Sequence, residues 1–568
     1  MAVWKFNMEI FDSLMTKAAM LLQAVKIYWK TLFVLIYPLV LLPVFLTNNT
    51  SAFRCLYVVL LMAGYWVFEV LPLPVTSLIP MVLFPLMGIL DSDQTSLCYL
   101  KETNMMFVGG LIIAIAVEHC NLHKRVALYV IRLVGCSPRR LNIGLCSVTM
   151  LVSMWISNTA AAAMMIPIIE ATLSALEEQG IGEVFERNDL EGDEIAVENS
   201  DIENKRPTRT TMCYFISTAY AASIGGMGCI IGSGTNLTFK GLYETYFPES
   251  PGVEFTKWMI LNVPLMLMMM YLGIIWMQFW FMGLFRPNSV DAKKIRVGQQ
   301  GEAVAKKLIN HQLEQLGPMS FHEKGIGLCF LLSIILWFFR KPQFVPGWAE
   351  LITDHKVKDA TAALIVVMIM FIVPSKPDFI YIFSGNDQKR PKVPSTALIS
   401  WKIVQQKMPW GLLFLLGGGF AMAEGSKASG MSHMIAQHLR GFTSLNKYYV
   451  MLISGCMGAM LTQFSSNVAC ANVLLPVLAE MSVDARIHPM YLMMPAALCC
   501  SFSYCLPVST PPNAIAKAPC NMPSSEMSKV GIGMTIISLL VLFTVFPFYG
   551  KLIWDFDTFP EWAELNSP

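Results

Sequence analysis

The sequence predicts an all-α, polytopic membrane protein of about eleven transmembrane helices plus two re-entrant hairpins, arranged as two inverted repeats. Three observations lead there. The composition is too apolar for a soluble chain, two apolar stretches are each interrupted by a Ser-Asn pair, and three sequence elements recur in the same order in both halves.

Of the 568 residues, 55% are hydrophobic and 14% charged, with a mean hydropathy of +0.53. A soluble domain carries about a quarter of its residues as charges, because its surface needs them. The formal net charge of +2 is near neutral and points to no nucleic acid or polyanionic partner. The 14 cysteines lie in apolar stretches without C-x-x-C pairing, where Cys acts as a small hydrophobe rather than a metal ligand or disulfide partner. No secretory signal is visible in residues 1–30, which read as a cytoplasmic N-terminal segment, either solvated or an interfacial amphipathic helix.

A membrane helix needs about 20 apolar residues. The spans expected on that rule are 31–47, 53–72, 74–90, 104–120, 211–240, 258–282, 325–340, 359–375, 410–430, 490–520 and 530–550. Cytoplasmic loops carry excess Lys and Arg. Residues 121–140 hold Lys124, Arg125, Arg132, Arg139 and Arg140 without an acid, and the linker 283–324 and segment 376–408 are also basic. From an inside N-terminus, four spans return the chain to the cytoplasm at 121–140. Two further spans, 211–240 and 258–282, separate loop 177–209 from the basic linker, so both loops share a side. Stretch 141–176 must therefore enter and leave on the cytoplasmic side, as a hairpin. The same counting makes 448–482 a hairpin from outside and 551–568 an extracellular tail.

The repeat is read directly. FVGGLIIAIAVE (107–118) corresponds to FLLGGGFAMAE (414–424), ending in Glu118 and Glu424. Next, Trp155-Ile-Ser-Asn-Thr-Ala corresponds to Phe464-Ser-Ser-Asn-Val-Ala, 309 residues on. Each half (31–282 and 325–550) then holds a break ending in Asn, at 225–236 and 507–513. The first repeat starts with an inward span and the second with an outward one. Inverted repeats with broken helices put a binding site near the bilayer midplane.

A Ser-Asn tip between two half-helices leaves backbone amides of the second half-helix unpaired at membrane depth, beside the positive end of its dipole. Such tips suit carboxylates without burying a fixed cation, which the membrane penalises. The substrate-binding candidates are Ser157, Asn158, Thr159, Ser466 and Asn467, with Val468 packing on the ligand's methylenes. Capping of the half-helices is the competing and compatible role. The breaks offer carbonyls and hydroxyls (Ser233, Thr235, Asn236; Ser509, Thr510, Asn513), which suit a sodium ion, or else simply allow kinks. Glu69, Glu118, Glu170 and Glu424 fall in apolar stretches and read as scaffold pairing, while His123, Lys124 and Arg125 read as an orientation signal. Asn48 and Asn49 begin glycosylation sequons close to the lipid, and the sequon at Asn236 lies inside a span. No catalytic constellation, Walker loop or metal cluster argues for an enzyme.

Trp66 to Ser77 (WVFEVLPLPVTS), Asn121 to Arg125 (NLHKR), Ser153 to Asn158, Leu415 to Ser426 (LLGGGFAMAEGS) and Leu506 to Ile515 (LPVSTPPNAI) carry a resemblance over nearly the whole chain. The sequence resembles the divalent anion/sodium symporter family, its citrate and dicarboxylate carriers, and within these the insect Indy branch. Gly135 to Arg140, Asn236 to Gly241 and Pro476 to Ser482 carry the last step. The resemblance implies a homodimeric plasma-membrane carrier working by an elevator mechanism, with substrate at the tips. It places Gly232, Ser233, Asn236, Thr510 and Asn513 beside the cation positions, and it implies no cofactor besides sodium. Met227 departs from the small hydroxyl residue of sodium-coupled vertebrate relatives. The Indy branch implies cation-independent, electroneutral transport of Krebs-cycle di- and tricarboxylates. The rivals are a sodium-coupled di-/tricarboxylate or sulfate symporter and a receptor-like sensor.

Overall fold

The computed structural model describes residues 20–563 except 21, 22, 24, 135–136, 179–184, 186–206, 290–291, 293–298, 341–345, 379–394, 432–433, 436–445 and 521. Most of the expected leader, the loop 177–209 and the end of the tail therefore lie outside the described residues. The described chain is helical, with two isolated β-bridges and no strand.

In chain order the main helices are α1 (Val25–Leu46), α2 (Ser51–Phe68), α3 (Leu73–Thr76), α4 (Ile79–Leu86), α5 (Glu102–His119), α6 (Leu122–Val134), α7 (Pro138–Ser153) and α8 (Asn158–Glu178). There follow α9 (Arg209–Gly225), α10 (Gly234–Tyr246), α11 (Phe255–Met282), α12 (Gln299–Gln315), α13 (Phe321–Phe338) and α14 (Asp359–Ile372). The last are α15 (Trp401–Lys407), α16 (Trp410–Ala428), α17 (Lys447–Leu461), α18 (Asn467–Asp484), α19 (Pro489–Cys499), α20 (Pro511–Lys517) and α21 (Ser524–Tyr549). Among the described residues, seven helical stretches are each long and apolar enough to cross a membrane.

Three expectations are corrected. The span drawn at 74–90 is two short helices, because Pro80, at the start of the second, offers no N–H to the preceding turn and its ring crowds the Thr76 carbonyl. The helix of the first span already runs from Val25, six residues before the expected start at 31. The second break starts at Cys500 rather than 507, because Gln463 supplies non-helical partners: its amide donates to the Phe502 carbonyl at 2.7 Å and its oxygen accepts from the Cys505 N–H at 3.0 Å.

Helices α9 and α19, which lead into the breaks, form the centre of the molecule. From Thr211 to Gly225 and from Pro489 to Cys499 every residue is buried, as expected of helices that are apolar on all sides. Helices α5 and α16 run antiparallel and are joined at both ends. Lys101, before α5, meets Glu424 near the end of α16 at 3.5 Å, and Lys407, before α16, meets Glu118 near the end of α5 at 2.5 Å. These groups are a third or so exposed, so each pair contributes little energy; their value is in fixing register. The matched glutamates of the repeat thus pair within the scaffold.

A buried network ties α10 to the ends of α13 and α14. Asp359 binds Lys240 at 2.6 Å and Arg340 at 2.7 Å. Removing one member would strand a buried charge. Arg125, from the NLHKR motif, is equally structural: it pairs with Glu323 at 3.1 Å and donates to the carbonyls of Leu316 and Gly317, bracing the capping box of α13.

The charge-based topology has its own test. Cysteines introduced at position 190, outside the described residues, and at position 300 should both react only with reagent applied from the cytoplasm. Labelling of position 190 from outside would make 141–176 a crossing.

Candidate functional site

Each half builds its part of the site in the same way. Helices α7 and α8 meet at Met154–Ser157, and α17 and α18 meet at Thr462–Ser466. Asn158 and Asn467 are the first residues of α8 and α18, so their side chains stand beside the unpaired amides of a helix N-terminus.

A hydroxyl five residues earlier holds each asparagine. Ser153 Oγ lies 2.8 Å from Asn158 Oδ1 and 2.6 Å from the Ala222 carbonyl of α9. Thr462 Oγ1 lies 2.7 Å from Asn467 Oδ1 and 2.6 Å from the Cys500 carbonyl at the end of α19. A hydroxyl has one hydrogen, so the two acceptors share it. The amide is thereby oriented, its NH2 group has no partner among the described residues, and both asparagines are part-exposed. Sequence reasoning missed Ser153 and Thr462, although a hydroxyl at the same spacing in both halves was available as a signal.

The other tip residues divide their work. Ser157 caps α8 by accepting from the Ala160 N–H at 3.3 Å, whereas Ser466 makes no such bond. Thr159 is exposed. Val468 is buried, and a Cβ on Gly234 would sit 2.9 Å from its methyl, so the tip of α18 packs on the start of α10. Helix α8 in turn packs on α20. The second helix of each hairpin therefore packs on the broken helix of the other half.

The breaks repeat the same hydrogen bonds. Asn236 Nδ2 donates to the carbonyls of Gly226 and Cys229, both at 2.8 Å. Asn513 Nδ2 donates to those of Ser503 at 2.8 Å and Leu506 at 3.0 Å, the same ten and seven residues back. Both asparagines are fully buried, and among the described residues the Oδ1 of each has no hydrogen-bond partner, nor has Ser503 Oγ. Buried acceptors are normally satisfied, so each calls for an explanation. Ser233 caps α10 through the Thr235 N–H at 3.4 Å; Thr510 precedes α20 without capping it; Ser509 Oγ donates to the Leu506 carbonyl at 2.7 Å. Gly232 is required by packing, since a Cβ would lie 2.7 Å from the Gly226 carbonyl oxygen and 2.8 Å from that of Met154. Met227 is buried, and its carbonyl accepts from Trp258 Nε1 at 3.0 Å.

The likeness of the halves ends at their surfaces. Trp155 packs edge-on against Phe330 of α13 at 5.2 Å, while its counterpart Phe464 is 75% exposed. Ile231 is 9% exposed and lies against Gly110, while its counterpart Val508 is 87% exposed. Trp155 and Ile231 are thus covered by neighbouring helices, and Phe464 and Val508 are not. Among the described residues no His, Cys, Asp and Glu cluster could hold a metal ion, and twelve cysteines are free.

Comparison with known proteins agrees over nearly the full length. The family profile described as the sodium:sulfate symporter transmembrane region matches residues 23–555. The chain is 46% identical to "Protein I'm not dead yet" of Drosophila melanogaster over 542 residues, covering 95% of this chain and 92% of that one. It is 38% identical to the Na(+)/citrate cotransporter of Rattus norvegicus over 555 residues, covering 93% and 96%. To the Na(+)/dicarboxylate cotransporter 3 of Homo sapiens it is 37% identical over 588 residues, covering 97% of each.

Proposed function

The chain belongs to the family of the sodium:sulfate symporter transmembrane region, and we propose that within it the chain is a plasma-membrane carrier of citrate and other di- and tricarboxylates, including succinate, fumarate and 2-oxoglutarate. It is a transporter and not an enzyme, as its family and relatives are. The observation that carries the substrate class is the pair of free amide NH2 groups, Asn158 and Asn467, each at the start of a half-helix and each oriented by a hydroxyl.

Two such donors, one in each half, suit a molecule with two or more carboxylates. Each carboxylate takes a side-chain amide and backbone N–H groups, and the helix dipoles supply positive potential without a fixed cation. Removing the substrate then leaves no bare charge in the membrane, so the empty carrier can return. We read the two hairpins as re-entrant, the repeats as inverted and the protein as an elevator-type homodimer with its N-terminus in the cytoplasm and its C-terminus outside. Covered Trp155 and Ile231 against exposed Phe464 and Val508 support a state facing the basic, cytoplasmic side.

We read transport as cation-independent and electroneutral, because Met227 brings no side-chain oxygen to the first break and its carbonyl is already engaged by Trp258. One observation favours the sodium-coupled alternative. The partnerless oxygens of Asn236 and Asn513 fit small-cation ligands, joined at the second break by Ser503 Oγ. A sodium ion held there would place positive charge beside a carboxylate.

Cells expressing the chain should take up labelled citrate, and unlabelled succinate in excess should suppress that uptake while equal sulfate leaves it nearly intact. Stronger suppression by sulfate than by succinate would reassign the substrate class. Citrate binding without any counterflow in vesicles would make the protein a sensor.

A further inference from the structure

Between α8 and the corner of α5 and α6 lies a cavity of about 540 Å³ that none of Ser157, Asn158 and Thr159 lines, although it reaches Ala160 beside them. Its volume falls within the range of small-molecule sites, roughly 300–1,000 Å³. One wall is the flank of α8, where Ala163, Pro167 and Ala171 lie exposed at four-residue spacing along about 12 Å of helix. The opposite wall is polar and holds His119, Asn121 and Lys124, with Gln312 of α12 beside them.

Charge decides what this cavity suits. Lys407 also lines it but is taken by Glu118 at 2.5 Å. Lys124 has no ion pair or hydrogen bond among the described residues, so one cation remains for a ligand. A tricarboxylate would find a single free cation and would lose hydration against an alanine, methionine and proline wall, which is unfavourable. A molecule with one anionic head and an apolar chain meets both walls.

We propose that this cavity is a second site, separate from the tips, which binds an amphiphilic monocarboxylate with its head on Lys124 and its chain along α8. Such a ligand bridges α8, which carries the tip residues, to α5 and α6, and so halts the carrier without competing for substrate. Only that inhibitory consequence rests on the carrier reading.

Binding is tested without transport. The full-length chain with Ala163→Cys, purified in lipid nanodiscs, is labelled with a water-soluble maleimide, after subtraction of labelling on the parent chain. Decanoate should slow labelling and decanol should not. Lys124→Gln should raise the decanoate concentration for half-protection by about tenfold, equivalent to about 1.4 kcal/mol, and Lys124→Arg should restore it. No protection, equal protection by decanol, or protection unchanged in Lys124→Gln would overturn the site. In citrate-transporting vesicles, decanoate should lower the maximal rate and leave the half-saturating citrate concentration unchanged. A raised half-saturation would put decanoate at the tips and overturn it as well. Vesicles that do not transport citrate would count against the carrier reading alone, since labelling answers separately.

Discussion

Asn158→Ala and Asn467→Ala should each reduce citrate uptake by about a hundredfold or more while the protein still reaches the cell surface. A hydrogen bond to a charged group contributes roughly 1.5–3 kcal/mol, and a carboxylate left without its donor at membrane depth also carries a desolvation cost. Together these exceed the ~2.7 kcal/mol that corresponds to two decades. The fold should survive. Alanine is a good residue at the start of a helix, and both side chains are part-exposed rather than core. The hydroxyls that orient them keep a partner, since Ser153 still donates to the Ala222 carbonyl and Thr462 to that of Cys500. Ser153→Ala and Thr462→Val should give smaller losses, because they free the amide without removing it. Surface biotinylation together with labelled uptake reads both quantities. Normal uptake by both asparagine variants would remove the tips from the site.

Much of this arrangement could be read from the sequence because it depends on local pattern. The Ser-Asn pairs mark the turns between α7 and α8 and between α17 and α18, since a polar pair inside an apolar stretch must either line a cavity or end a helix. The asparagine closing each break was legible by its repetition, and the same two-carbonyl bond follows in both halves. What escaped was set by contacts distant in sequence. Gln463 opens α19 early by binding groups 39 and 42 residues away, and its counterpart in the first half, Met154, offers no amide that would have exposed the pattern. The partners of Glu118 and Glu424 lie 289 and 323 residues off, so the repeat revealed the acids and not the lysines. Asp359 between Lys240 and Arg340 was hidden for the same reason. The separation of α3 from α4 escaped for a different reason: hydropathy alone ran through Pro80, where local backbone chemistry starts a new helix.

Replacing sodium by choline should change citrate uptake less than about twofold and should leave no substrate-evoked current; each uncompensated charge moved against the membrane potential costs about 2.3 kcal/mol per 100 mV. Citrate is multiply charged near neutral pH, so import into a negative interior needs compensation from co-bound cations or from exchange of protons or anions. The geometry weighs on both sides. At the first break the Met227 carbonyl is held by Trp258, the Met227 side chain supplies no oxygen, and Ser233 lies within 3.4 Å of both the Thr235 N–H and the Thr235 hydroxyl. Among the described residues that leaves Asn236 Oδ1 as the partnerless buried side-chain oxygen of that break, whereas the second break has Asn513 Oδ1, Ser501 Oγ and Ser503 Oγ. A sodium ion takes several oxygen ligands at once, so the first cradle is the poorer of the two, and coupling through both breaks should fail there. Uptake measured in matched sodium and choline media, with membrane current recorded alongside, separates the outcomes. A steep, sigmoidal sodium dependence with inward current would mean that Asn236 and backbone carbonyls complete the first site without a side-chain oxygen at 227, and the cation-independent reading would give way to sodium-coupled symport.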